Sequence, residues 1–231
     1  MPLPDQGRRF ARTLRVRLGD VDDSGTLRLD GVARYLQDVA SDDWEDTGES
    51  YGDTWVARRT ALRLVPGASW PTLGSEVTIT TWCGGFGAAW AERRTTIALG
   101  GAAKVEAAAI WVPVDDSGHP RRLQQTFFDV YGEAARGRRV SGRIAAAPVP
   151  DGVCQHPWTI RRADLDVLGH VNNAALWCAM CEVTTGIVHA AELSFHKSVE
   201  FGEDVTLAHD ERHLWLLVGE DLRVSGVFDA G

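Results

Sequence analysis

The sequence predicts an α+β protein built as a tandem of two similar units, each one mostly apolar helix wrapped by a curved antiparallel sheet. Three observations predict it. Asp164-Leu165-Asp166-Val167-Leu168-Gly169-His170-Val171 has a partial copy 144 residues earlier, Asp20-Val21-Asp22-Asp23-Ser24-Gly25-Thr26-Leu27. Each copy is followed by a helical pattern. Each helix is followed in turn by extended runs separated by turn residues. Only the second copy keeps a histidine, His170, where the first has Thr26, so one site is expected to work and the other to be retired.

In the first unit, Arg12 to Leu18 alternates as a strand does. After the Asp-Gly turn, Leu29, Val32, Ala33, Leu36, Val39 and Ala40 form one buried helical stripe, with an acidic far end and Gly48 as a stop. Extended runs follow over Thr54 to Val65, Ser75 to Cys83, Ala88 to Leu99 and Lys104 to Val114. Pro66-Gly67, Pro71 to Gly74, Gly84-Gly85 and Gly100-Gly101 are read as the turns between them, the last as a tight hairpin. A short helix over Thr126 to Ala135 closes the unit.

Gly137 to Asp151 has no apolar periodicity, so the expected division is 1–136, a connection at 137–155, and 156–231. The second unit repeats the order: a strand over His156 to Ala163, the turn, then a helix from about Asn173 to His189 with Leu176, Met180, Val183 and Ile187 on its stripe. Extended runs are expected over Glu192 to Phe201, Asp204 to Ala208, His213 to Val218 and Leu222 to Phe228.

Composition limits the function classes. A hydrophobic content of 44% supports real cores, and a net charge of -8 argues against general nucleic-acid binding. No apolar run approaches the roughly 20 residues that span a bilayer, so no membrane insertion is expected. Arg8 and Arg9 are not followed by an apolar stretch, which argues against a secretory signal. Cys83, Cys154, Cys178 and Cys181 lack disulfide-framework spacing and read as reduced thiols of a cytoplasmic protein. Arginines cluster at Arg8, Arg9, Arg12, Arg15 and Arg17, at Arg121 and Arg122, and at Arg136, Arg138, Arg139 and Arg143. Each cluster alone reads as solvated surface; together they suit an acidic partner.

The second copy of the turn carries the candidate chemistry. Asp166 and His170 flank Gly169, and the chain then enters a helix at Asn172 and Asn173, where free backbone N–H groups would stabilise a developing oxyanion. A carboxylate there can take a proton from water or attack a carbonyl itself. The plainer readings are that Asp166 caps the turn, that Asn172 or Asn173 caps the helix, and that His170 is a satisfied histidine. By spacing alone Glu200, before Gly202, reads as solvated. Cys178-x-x-Cys181 lacks the second ligand pair of a zinc site, and His119, His156, His189, His196, His209 and His213 show no metal-ligand spacing.

The string Asp166 to Asn173 resembles the acyl-ACP thioesterase family and, more loosely, the 4-hydroxybenzoyl-CoA thioesterase family. Leu36-Gln37-Asp38-Val39-Ala40, Trp55 to Leu64, Trp70 to Gly74, Thr80-Thr81-Trp82, Ala91 to Arg94, Ile110 to Val114 and Arg121-Arg122-Leu123 extend the similarity over about residues 12 to 205. The resemblance implies a double hotdog protein that hydrolyses fatty acyl thioesters on acyl carrier protein, with the chemistry in the second unit and the first shaping the acyl pocket. Asp166 matches the family's aspartate, His170 its histidine and Glu200 its glutamate. Leu168 stands where the plant enzymes have Asn, and Phe201 where they have Cys, which excludes a cysteine nucleophile there.

On this reading Asp166 is base or nucleophile, His170 orients water or thioester, and Glu200 positions the water or Asp166. Gly169, Val171, Asn172 and Asn173 bind substrate, with the backbone N–H groups after Gly169 polarising the carbonyl. Leu29, Val32, Leu36 and Val39 are weak candidates for lining the acyl slot. No metal or redox cofactor is needed. Acyl carrier protein is the expected partner and a homodimer is left open. An acyl-CoA thioesterase, a non-catalytic acyl-binding or carrier-docking module, and a hotdog dehydratase are the alternatives.

Overall fold

The computed structural model describes residues 2–48, 54–144 and 147–231. Of the expected connection, residues 145–146 lie outside the described part. Among these residues, ten strands and three α-helices make an α+β fold on one large antiparallel sheet. β1 (Arg9–Arg15), α1 (Leu29–Glu45), β2 (Thr54–Leu64), β3 (Glu76–Phe86), β4 (Ala91–Leu99), β5 (Ala102–Val114) and α2 (Gln125–Ala135) come first. β6 (Cys154–Trp158), α3 (Asn173–Val183), β7 (Val188–Phe195), β8 (Val205–His209), β9 (His213–Val218) and β10 (Asp221–Ala230) follow.

The sheet order is β1-β3-β4-β5-β2-β7-β10-β9-β8-β6. Each half reads first, third, fourth, fifth, second, so the two halves have the same strand order and meet through their second strands. That junction pairs β2 with β7 from Arg59 opposite Ser194 to Arg63 opposite Ala190, which covers two strand edges that would otherwise be open.

α1 and α3 lie against the sheet and against each other. Val32, Leu36 and Val39 of α1 and Leu176, Trp177 and Met180 of α3 enter one buried cluster with Ile79, Ile97, Leu193, Leu207 and Leu214 of the strands. Full burial of side chains of this size stabilises by about 1.5–3 kcal/mol each. A second, smaller cluster of Cys83, Phe86, Ala91, Phe127, Tyr131 and Ala135 packs α2 onto the far end of β3.

Several boundaries differ from expectation. β1 begins at Arg9 and ends at Arg15, because its pairing is set by β3 from Trp82 to Glu76. Gly84 and Gly85 are no turn; they lie inside β3 at a bulge. A Cβ on Gly85 would lie 2.6 Å from Val140 Cγ1, so the glycine lets the 138–140 segment bond to Phe86, whose N–H donates to Arg138 O at 3.1 Å. α3 ends at Val183, six residues early, with Thr184 as its cap and Ile187 exposed. β7 starts at Val188, where strand pairing with β10 replaces the helix. That strand ends at Phe195, since the N–H groups of His196 and Lys197 both turn to Arg223 O. β6 covers Cys154–Trp158 only, and a 3-10 turn occupies Arg162–Asp164.

Candidate functional site

The two copied turns have the same backbone hydrogen bonds. Asp22 N–H donates to Thr26 O and Asp166 N–H to His170 O, both at 2.9 Å. Gly25 and Gly169 close the turns onto Asp22 O and Asp166 O, with φ of 80° and 82°, a left-handed conformation that favours glycine. Arg28 N–H donates to Asp20 O, and Asn172 N–H to Asp164 O. Asp20 and Asp164, the first aspartates of each copy, anchor the turns from below. Asp164 is buried and accepts from Arg161 N–H and guanidinium, both at 2.8 Å.

The side chains diverge. Asp22 accepts from Ser24 N–H at 2.9 Å, Ser24 Oγ at 2.6 Å and Thr26 N–H at 2.9 Å. Desolvation pushes its carboxyl up, but these bonds outweigh it and hold the pKa below the ordinary carboxylate value. Asp166, with Leu168 in place of Ser24, takes one side-chain hydrogen bond among the described residues, from Leu168 N–H at 2.9 Å. The first carboxylate is consumed by its own loop, whereas the second keeps acceptor capacity.

His170 and Glu200 meet across an isolated antiparallel bridge, Nε2 to Oε1 3.5 Å, with both side chains nearly half exposed. Ser198 Oγ donates to the same Glu200 oxygen at 2.7 Å. The strand expected to carry Glu200 ends earlier, so Glu200 is held by this bridge in a loop. The corresponding bridge of the first half joins Thr26 to Thr72.

Asp166 borders a cavity of about 510 Å³. Val167, Leu168 and Asn172 share its lining, with Val167 and Leu168 exposed; Phe201 is also exposed but does not line it. The guanidinium of Arg162 stacks 4.5 Å from the Phe201 ring centroid. The wall is aromatic, with Trp44, Trp55, Trp111, Phe127 and Tyr131, and it is completed by Gln37, Ala40 and Ser41 of α1. Leu29, Val32 and Val39, weak candidates for this lining, belong to the main core, and Leu36 borders only a separate void of about 20 Å³. The pocket face of α1 is its less apolar one, which a search for an apolar stripe passes over.

Buried ion pairs stiffen the polar part of the wall. Asp43 accepts from Arg93 at 2.6 Å and Arg8 at 2.7 Å, and Glu92 accepts from Arg94 at 2.8 Å. Arg12 pairs with Asp42, Arg136 with Asp5 and Arg138 with Glu92. Four of the eleven clustered arginines, Arg8, Arg12, Arg136 and Arg138, thus pair with the protein's own acids. Burial pushes the Tyr131 hydroxyl up to about 12 and the Cys83 thiol up to about 11, so the one cysteine on the cavity wall stays protonated.

The remaining expected residues separate. Gly169 is exposed and Val171 is buried in the core; neither lines the cavity. Asn173 opens α3 and borders the small void. Three of the backbone N–H groups expected to polarise a carbonyl are engaged: Val171 donates to Val199 O at 2.9 Å, Asn172 to Asp164 O at 2.8 Å, and Ala174 to Asn172 Oδ1 at 2.7 Å. This last bond makes Asn172 the N-cap of α3 and fixes its amide orientation at the cavity mouth.

A carboxylate on the wall of an aromatic-lined cavity is the geometry of the site, and the family this chain matches defines the class: it is a thioester hydrolase. Family models of the acyl-ACP thioesterase N-terminal and C-terminal domains match residues 7–132 and 150–217, so the chain belongs to the acyl-ACP thioesterase family and acts on fatty acyl-ACP. A 12:0-ACP thioesterase from Umbellularia californica has a similar structure (TM-score 0.78, 16% identity, 97% of each chain covered). So does an acyl-ACP thioesterase from Bacteroides thetaiotaomicron (TM-score 0.75, 16% identity, 96% of this chain and 98% of that one). An uncharacterized protein of Mycobacterium tuberculosis is 26% identical over 97% of this chain and 93% of its own length. Among the described residues no helix is long and apolar enough to cross a membrane.

Proposed function

We propose that this chain is a tandem hotdog enzyme, with units at 1–136 and 156–231, that releases free fatty acid and holo-ACP in the cytoplasm through a site built on the second copied turn. The observation that carries the reading is the double position of Asp166: it lines the acyl-sized cavity, and it lies four residues before the imidazole that the first copy lacks.

The acyl chain occupies the aromatic cavity and its thioester carbon stops at Asp166. Asp166 takes a proton from water as the resulting hydroxide adds to the carbonyl carbon. The tetrahedral intermediate collapses, the C–S bond breaks and the carrier's thiol leaves with the proton. His170, paired with Glu200, orients the water, and the proton held by Asp166 passes to the departing sulfur as the C–S bond breaks. Asn172 lines the cavity and the N–H groups of Val171, Asn172 and Ala174 are engaged, so the donor for the developing oxyanion is the Asn172 Nδ2 amide, which capping leaves available while its Oδ1 holds Ala174 N–H. This amide offsets the loss of the family's Asn at Leu168. The carrier docks outside, against the exposed Val167 and Leu168 that border the cavity.

Turnover of matched acyl-ACP and acyl-CoA by the wild type tests the reading. We expect hydrolysis with a clear preference for acyl-ACP. Preference for acyl-CoA would move the assignment to the acyl-CoA thioesterase reading, and tight acyl binding without hydrolysis would make the chain a carrier-docking module.

A further inference from the structure

We propose that Cys154, His156 and His209 form a binding site for one zinc-type divalent cation at the outer edge of the sheet, remote from the acyl cavity. In the β6–β8 ladder Cys154 stands opposite His209 and His156 opposite Leu207, so the alternation of strand side chains puts all three groups on one face. Their ligand atoms lie within 4.8 Å of one another. The two imidazoles meet edge-on, with ring centroids 5.9 Å apart.

A tetrahedral zinc ion with ordinary Zn–S and Zn–N bonds needs its ligand atoms about 3.3 to 3.6 Å apart. The cluster therefore closes on a metal by a movement of about 1 Å. Cys154 and His156 are exposed and His209 is half-buried, so side-chain rotation supplies that movement without shifting the backbone. One thiolate with two imidazoles selects a borderline-soft ion such as Zn²⁺ over Mg²⁺ or Ca²⁺. The fourth position faces solvent and takes water.

The site lies where a clip is useful. β6 has five residues, carries Pro157, and is the last strand in the sheet order, joined to the rest through β8 alone. A short strand held on one edge frays readily. A metal bridging Cys154 and His156 of β6 to His209 of β8 ties it down, and with it the segment that enters the second half. None of the three ligands lines the acyl cavity. The sequence hid the cluster because two residues come from one strand and the third from another, paired only by the fold.

Calorimetric titration of the metal-stripped full-length protein with Zn²⁺ alone is expected to give one site per chain. Cys154→Ser and His156→Ala should each weaken it by at least about a hundredfold. Titration with Co²⁺ alone should produce a thiolate charge-transfer absorption in the wild type and not in Cys154→Ser, and added Zn²⁺ should raise the melting temperature of the wild type only. Thioesterase activity of both variants stays at the wild-type level, which separates this site from the acyl site. Equal zinc affinity in wild type and Cys154→Ser, a cobalt–thiolate band that persists in that variant, or less than one bound ion per chain would each overturn the proposal.

Discussion

His170 Nε2 lies 3.5 Å from Glu200 Oε1 across an antiparallel bridge, and Thr26 and Thr72 occupy the matching bridge of the first half. One backbone device thus accepts either an imidazole–carboxylate pair or two hydroxyls. His170→Thr is expected to leave the fold stable to within about 0.5 kcal/mol, since the side chain is exposed and the first half already carries Thr there. Its turnover should fall about a hundredfold, the scale of a lost acid–base group. Melting temperature and kcat on acyl-ACP check the two halves of this prediction; an unchanged kcat would mean the imidazole plays no chemical part.

Asn172 is predicted to act twice, as helix cap and as oxyanion donor. Asn172→Ser keeps a capping oxygen for Ala174 N–H and removes the amide, so stability should change by only a few tenths of a kcal/mol while kcat drops about a hundredfold. Asn172→Ala should lose both. Comparing kcat and unfolding midpoints for the pair distinguishes the roles.

The aromatic cavity sets acyl length. Ala40 lines it from α1, and Ala40→Phe places a ring in the space. The ratio of kcat/KM for long over medium acyl-ACP should fall at least about tenfold, the worth of one or two methylenes excluded from an apolar pocket. An unaltered chain-length profile would show that the acyl group lies elsewhere.

Asp30 at the start of α1 is buried and accepts from Arg28 at 2.8 Å and Arg34 at 2.6 Å. Burial works to raise its carboxyl, but the two guanidiniums outweigh that and hold the pKa below the ordinary value. A depressed carboxylate pKa stabilises the fold above the unfolded-state value and loses that contribution as pH falls through the folded value. Asp30→Asn should cost about 2 to 3 kcal/mol near neutrality, less than a fully buried pair because both arginines are partly exposed. The gap from wild type should narrow as acid protonates Asp30, which urea unfolding across pH measures. A gap that widens in acid contradicts the assignment.

The copied turn, the α1 stripe and most strand runs were legible because each rests on local chemistry: an Asp-Gly turn, a helical period and alternation. The end of α3 was not, because Val183 and Ile187 keep a helical spacing while Val188 instead pairs with the last strand, a tertiary choice. Gly84-Gly85 read as a turn, yet its glycines serve the close approach of the 138–140 segment. As site candidates, Asp166 and His170 came from the copied turn and Glu200 from the family likeness, whereas the oxyanion role proposed for Asn172 draws on the hydrogen bonds of Val171, Asn172 and Ala174 N–H. The cavity wall drew on Gln37, Ser41 and Trp44, which an amphipathic reading of α1 assigns to solvent, and on Ala40 at the edge of the expected stripe.

In the proposed mechanism the Asp166 carboxylate, which lines the cavity, takes the proton from the attacking water. Single-turnover hydrolysis of acyl-ACP by Asp166→Asn tests it most directly, because the amide oxygen can still accept from Leu168 N–H and preserve the turn. Acyl-ACP binding and melting temperature are expected near wild type, with a rate lowered about a hundredfold or more. A folded Asp166→Asn protein that hydrolyses acyl-ACP at the wild-type rate would contradict it.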